Sequence, residues 1–145
     1  MSHTFEALSG QIIEAAIDVH RQLGPGFLEP IYGSALRVAL RNRGIAHEVE
    51  KGISIIYEGE EVGVHRLDLL VEDQVVVELK AVRALEDVHF AQVKSYLKAT
   101  HKSVGLLLNF NSPTLVIKRV VLSGNRPNHE STEQTKGQGD YSADV

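Results

Sequence analysis

The chain has 145 residues, of which 43% are hydrophobic, enough for one domain with a single sizeable core. It contains no cysteine, which excludes a disulfide framework, a thiolate zinc site and a cysteine nucleophile. The formal charge of −4 gives no general attraction to phosphate backbones, but half of it comes from residues 124–145, where Arg126 and Lys136 face Glu130, Glu133, Asp140 and Asp144.

Residues 4–23 place Phe5, Leu8, Ile12, Ala15, Ala16, Val19 and Leu23 at spacings of three and four, predicting a helix with one buried face. The segment Gly24-Pro25-Gly26 ends it. A second helix is predicted over 28–43, with Ile31, Tyr32, Ala35, Leu36, Ala39 and Leu40 inward and Gly44 as its C-terminal cap. The pattern then changes to alternation rich in β-branched residues, over 53–57, 62–71 and 75–79. The short polar linkers Glu58-Gly59-Glu60 and Glu72-Asp73-Gln74 suit hairpins, so these three strands read as a meander. Helical spacing returns over 86–99, and two more strands follow at 104–110 and 115–122, separated by Asn111-Ser112-Pro113.

The predicted order is ααβββαββ, an α/β (α+β) domain over 1–123 with a mixed central sheet and flanking helices. From Gly124 the chain is polar and almost free of aliphatic residues, so 124–145 is expected to be a disordered tail. The start, MSHTFEALSG, lacks the basic residues and apolar run of a signal peptide, and no stretch approaches the ~20 apolar residues of a membrane span. A soluble, cytoplasmic protein with no membrane partner is the expectation.

Chemistry concentrates in one hairpin. Asp68 and Glu78 each interrupt a strongly apolar strand, and Lys80 follows Glu78 by two residues. If Glu72, Asp73 and Gln74 form the loop, Val71 pairs with Val75 and Asp68 falls opposite Glu78; alternation then brings Lys80 to the same face. A shift of one residue separates the three groups. Opposed carboxylates repel, so this register calls for a cation. Lys80 supplies part of the charge, and the remaining oxygens are the ligand type that Mg²⁺ or Mn²⁺ prefers. A metal held there would polarise a phosphodiester, with Lys80 orienting the attacking water. The bland alternative is a structural ion pair at the sheet edge.

Asp68 followed by Glu78-Leu79-Lys80 at the end of an apolar strand resembles the PD-(D/E)xK nuclease superfamily, which has the restriction-endonuclease-like fold. Leu67 stands where the superfamily's name has proline. The chain is similar in particular to the group called GxxExxY proteins, whose motif appears as Gly26-Phe27-Leu28-Glu29-Pro30-Ile31-Tyr32. The strings VVVELKAV, AQVKSYL and VGLLLNF extend the likeness over roughly residues 9–122. The resemblance implies a metal-dependent nuclease in which Asp68, Glu78 and the Leu79 carbonyl hold Mg²⁺ or Mn²⁺ and Glu29 approaches it from the second helix. Gln92 and Tyr96, in the pattern Q-x-x-x-Y, would contact substrate, and Tyr32 would complete the pocket.

Other residues keep two readings. Glu29 also suits a helix N-terminus and Tyr32 a core. Gln92, Tyr96 and His89 also suit a half-exposed helix face. His20 is either a packing residue or an upstream ligand. Lys94, Lys98, His101 and Lys102, and Arg37, Arg41 and Arg43, are either phosphate contacts or solvated faces. The expected partner is nucleic acid, DNA in preference to RNA, and the strand 115–122 could pair two copies into a homodimer. The rival function is a catalytically silent fold of this type that binds nucleic acid or protein.

Overall fold

The structure, a computed structural model, describes residues 5–122, and the tail expected from 124 lies outside them. Two amphipathic helices open the fold: α1 (Phe5–Leu23) buries Leu8, Ile12, Ala15, Ala16 and Val19, and α2 (Glu29–Asn42) buries Tyr32, Leu36 and Leu40. The apolar stripes meet each other and the sheet, and Arg43 reaches back to Asp18 at 2.6 Å across the outer side of the pair. Gly24 and Gly26 make the turn between the helices with φ of 70° and 113°, a region that side chains rarely adopt.

Five strands follow in the order β1-β2-β3-β4-β5. They are β1 (His47–Tyr57), β2 (Glu60–Val71), β3 (Val75–Lys80), β4 (Val104–Asn109) and β5 (Val116–Val121), with α3 (Asp87–Thr100) between β3 and β4. Every neighbouring pair is antiparallel except β3 and β4, which are parallel because α3 carries the chain across one face. The sheet is therefore mixed, as expected. Leu69, Val71, Val75, Val77, Leu106, Leu108 and Ile117 face α1 and α2; Leu70, Val76, Leu107 and Val120 face Val93 and Leu97 of α3. Covering on both faces explains why β3 and β4 are nearly unbroken apolar runs. At Gly105 α3 comes so close that a Cβ would lie 2.7 Å from Val93 Cγ1.

Two expectations change. Strand β1 begins at His47, well before the predicted Ile53, because His47, Glu48, Val49 and Lys51 pair with β2 although most of their side chains are in water. Ile31, expected inward, is 45% exposed; the buried side of α2 is the narrower line of Tyr32, Leu36 and Leu40. The strand proposed as a dimer contact, β5, lies at one edge of the sheet and β1 at the other. Among the described residues no helix is long and apolar enough to cross a membrane.

Candidate functional site

The hairpin between β2 and β3 turns through Glu72 and Asp73, both left-handed at φ of 52° and 55°, with the Gln74 N–H donating to the Val71 carbonyl at 2.9 Å. Val71 pairs with Val75, Leu70 with Val76 and Leu69 with Val77, the register that sets Asp68 opposite Glu78. The backbone ladder stops there. In its place each acid bonds the other strand: Glu78 Oε2 accepts the Asp68 N–H at 3.1 Å, and Asp68 Oδ2 accepts the Leu79 N–H at 2.8 Å. Two side chains thus close the seam that two backbones leave open.

A face change accompanies this opening. Leu69 packs toward α1 and α2, but Leu67, two residues earlier and so expected on the same face, packs toward α3. On the neighbouring strand Glu50, between the paired Val49 and Lys51, has φ of 50°. Strand β2 therefore twists at Asp68, so that Leu67 and His65 before it are turned toward α3.

The electrostatics follow from burial. Glu78 is 5% exposed, and its carboxyl is pushed up to about 8, first by burial and then by the charge of Asp68, against the Asp68 N–H and Lys80. Asp68 is also raised by burial, opposed by the Leu79 N–H, by Lys80 and His65, and by a hydrogen bond with Glu78. Two desolvated carboxyls side by side with one lysine nearby are short of positive charge, and burial favours the protonated form of each. Lys80 Nζ reaches Gln92 Oε1 of α3 at 3.5 Å, a long contact.

Glu29, in the first turn of α2, and Asp68 line one cleft of about 340 Å³ together with Arg37, Glu50 and Leu79. Burial raises the Glu29 carboxyl, the charge of Asp68 adds to this, and Lys80 opposes it. Among the described residues no group of three or more His, Asp or Glu side chains is gathered as a metal's ligands would be.

On the α3 side, burial pushes the Tyr96 hydroxyl up to about 12, with the charges of Glu78 and Asp68 adding. The Tyr96 ring stacks on His65 of β2, centroids 4.0 Å apart and planes at 15°. His65 Nε2 is buried, with no hydrogen-bond partner among the described residues. Sequence reasoning missed His65, since strict alternation back from Leu69 puts it on the opposite face; only the twist at Asp68 brings it to Tyr96.

Three other residues prove structural in their visible bonds. Tyr32, expected to complete the pocket, is fully buried, stacks on Phe110 at 4.7 Å, donates its hydroxyl to the Gly24 carbonyl at 2.6 Å and accepts the Phe27 N–H at 3.1 Å. It fastens the turn that delivers Glu29, its hydroxyl both donating and accepting there. His20 bonds the Ser112 carbonyl through Nε2 at 2.9 Å and packs beside Phe110, which ties α1 to the β4–β5 turn. His89 Nδ1 accepts the Glu86 N–H at 2.9 Å and closes the start of α3.

Of the basic groups, Arg43 pairs with Asp18 and Lys102 with Asp73, whereas Arg37 opens into the cleft. A further residue not singled out is Asn109, buried opposite Lys80 on β4. Its amide accepts the Val82 N–H at 3.0 Å and donates to the Val82 carbonyl at 2.9 Å, while the Phe110 N–H holds the Lys80 carbonyl at 2.9 Å. These bonds fix the chain on both sides of Ala81, immediately after the lysine.

Comparison with solved structures finds the chain similar to the crystal structure of SSO0001, with 19% identity and a TM-score of 0.50, over 77% of this chain and 57% of that one. The chain thus spans little more than half of that protein, and the likeness is one of fold. It is also similar to an alkaline exonuclease, LHK-Exo, from Laribacter hongkongensis, with 14% identity and a TM-score of 0.46, over 99% of this chain and 84% of that one. No curated protein matches. A family model described as the PD-(D/E)XK nuclease superfamily matches residues 6–120, from α1 into β5 and through the whole of the β2–β3 seam. With most of its length and all of its acid–lysine hairpin inside that match, the chain belongs to the PD-(D/E)XK nuclease superfamily.

Proposed function

We propose that the protein hydrolyses phosphodiester bonds of nucleic acid with Mg²⁺ or Mn²⁺, in the manner of the GxxExxY group. The observation that supports this most is the pair of largely buried carboxyls at the end of the β2–β3 ladder, each bonded to a backbone N–H of the other strand, which share too little positive charge. The donor set is hard: carboxylate oxygens of Asp68 and Glu78, with the Leu79 carbonyl and Glu29 to complete it, and no sulfur. These residues fit a divalent cation, which supplies Lewis acidity toward a phosphoryl oxygen and acidifies a bound water when present.

The chain's own groups do the remaining work. Asp68 and Glu78 are fixed by the opposite strand's amides, so their oxygens need little reorganisation to bind. Lys80, restrained through its backbone by Phe110 and through Nζ by Gln92, orients the attacking water and offsets charge developing on the phosphoryl oxygens. Gln92 and Tyr96 form the wall that meets substrate, and Arg37 is the cleft's basic group for a flanking phosphate.

Cleavage of labelled single-stranded and duplex DNA and of RNA, with Mn²⁺ or Mg²⁺ added, tests the reading. Asp68→Asn and Lys80→Ala should each lower the rate ~10²–10⁴-fold with unchanged circular dichroism. Undiminished cleavage in both variants would sink it. The silent-module reading draws on the lack of three gathered acids among the described residues. It predicts equal Mn²⁺ binding by wild type and Asp68→Asn in calorimetry.

A further inference from the structure

Strand β3 pairs with β2 only at Leu69, Leu70 and Val71, so β1 and the first half of β2 run on together as a two-stranded ribbon. Helix α3 covers the near end, where Ile53 is buried and His65 meets Tyr96. Beyond it Ile56, Tyr57, Val62 and Val64 are each more than half exposed. Isolated apolar residues on a surface need no explanation, but a contiguous group on a bare ribbon does.

The ribbon's charge is lopsided. Between His47 and Arg66 stand Glu48, Glu50, Glu58, Glu60 and Glu61, against Arg66 and Lys51, the latter paired with Glu48. The rest of the described chain is nearly balanced, eleven bases against ten acids. Among the described residues the outer edge of β1 has no neighbouring strand in the sheet. Glu50 interrupts that edge with a left-handed φ, and after Ile55 the register with β2 shifts by one residue, the extra residue being Val62 of β2. Bulges and special residues of this kind guard an edge from indiscriminate pairing. Between them they leave one regular stretch, Lys51 to Ile55.

We propose that this ribbon docks a cationic, extended segment of a partner protein, added as a strand along the outer edge of β1. Charge selects the occupant. Nucleic acid and anionic lipid would meet the same carboxylates, and a second ribbon would bring five against five. A chain of basic and apolar residues suits the acid excess and the bare apolar side chains of the ribbon, its amides pairing with Lys51–Ile55. The proposal does not depend on the nuclease reading: Lys51–Ile55 and the exposed Ile56, Tyr57, Val62 and Val64 do not line the Asp68 cleft.

The test uses the full chain and a fluorescein-labelled peptide of about nine alternating Lys and Val residues, a usual strand length. Anisotropy at low salt should show binding, and Ile56→Lys combined with Val64→Lys should weaken it about tenfold or more. Both sites are exposed, so an unchanged melting temperature is the control for folding. A Glu–Val peptide should not bind, and hydrogen exchange should show peptide-dependent protection at Lys51–Ile55. The proposal is overturned if the Lys–Val peptide fails to bind, binds the double variant equally, or protects a different region. It is equally overturned if the ribbon substitutions abolish a concentration-dependent dimer or the binding of oligo-dT, either of which would assign the ribbon to another occupant.

Discussion

From Leu67 to Val71 strand β2 keeps its leucines and valine almost wholly out of water, whereas from Glu60 to Arg66 the same strand leaves Val62 and Val64 largely bare. Both halves contain β-branched or aliphatic residues at strand spacing. What separates them is cover: the buried half has β3 on its free side and helices on its faces, while the exposed half has only β1 and the end of α3. Hydropathy marks a strand, but the number of neighbours decides how much of it counts toward stability.

Truncation on the two sides of Asp68 should separate them most sharply. Leu67→Ala is expected to cost ~2–5 kcal/mol in urea unfolding, since it opens a cavity beneath α3. Val64→Ala should stay within about 0.5 kcal/mol. Comparable losses at both positions would mean that the ribbon is packed in solution.

Charge at the boundary gives the next effect. Glu78 holds its proton more tightly in the fold than in the unfolded chain, because its carboxyl is raised from the ordinary range to about 8. Its burial therefore costs nothing below the ordinary carboxyl range, and metal-free stability should fall as pH climbs from there through about 8. Asp68, raised in the same direction, adds to the trend. Glu78→Gln keeps the acceptor for the Asp68 N–H and removes the charge, so at pH 8.5 without metal it should be more stable than wild type by on the order of 2 kcal/mol, and nearly equal at pH 4.5. Melting temperatures at the two pH values check this. A variant no more stable than wild type at the higher pH would show that the carboxylate is already compensated.

Smaller still is the effect of the Tyr32 hydroxyl, which lies away from the seam. Tyr32→Phe keeps the stack on Phe110 and loses the bonds to Gly24 and Phe27, for about 1–2 kcal/mol. Hydrogen exchange at Phe27 should quicken, while the amides of Asp68 and Leu79 keep their protection. A loss of protection at both places would mean that the turn and the seam open together.

Much of this was legible in the residues. Apolar spacing located α1, the type and order of every element followed from the change of period, and the polar triplet Glu72-Asp73-Gln74 fixed the register that opposes Asp68 to Glu78. The failures have physical causes. His47–Gly52 carries few apolar side chains, and its strand form depends on pairing with β2, which no local pattern records. Ile31 has the right spacing for the core, but the stripe it belongs to is narrower than α2's apolar content suggests. Tyr32 sits in a motif with Glu29, yet only the turn of Gly24 and Gly26 reveals what its hydroxyl holds. His65 was hidden by the twist at Asp68, and Asn109 by the parallel pairing that sets it beside Lys80.

The crossed bonds at the seam also bear on how this chain can change over evolutionary time. Asp68 and Glu78 each satisfy a main-chain N–H that the other strand leaves without a ladder partner. An apolar replacement at either position strands a partly buried amide, whether or not the molecule cuts anything. Purifying selection for folding alone would hold an oxygen acceptor at both positions, and Asn and Gln are the replacements it tolerates. In a lineage that abandoned catalysis, the first trace would be amidation of these acids or drift at Lys80, whose ammonium supports no amide.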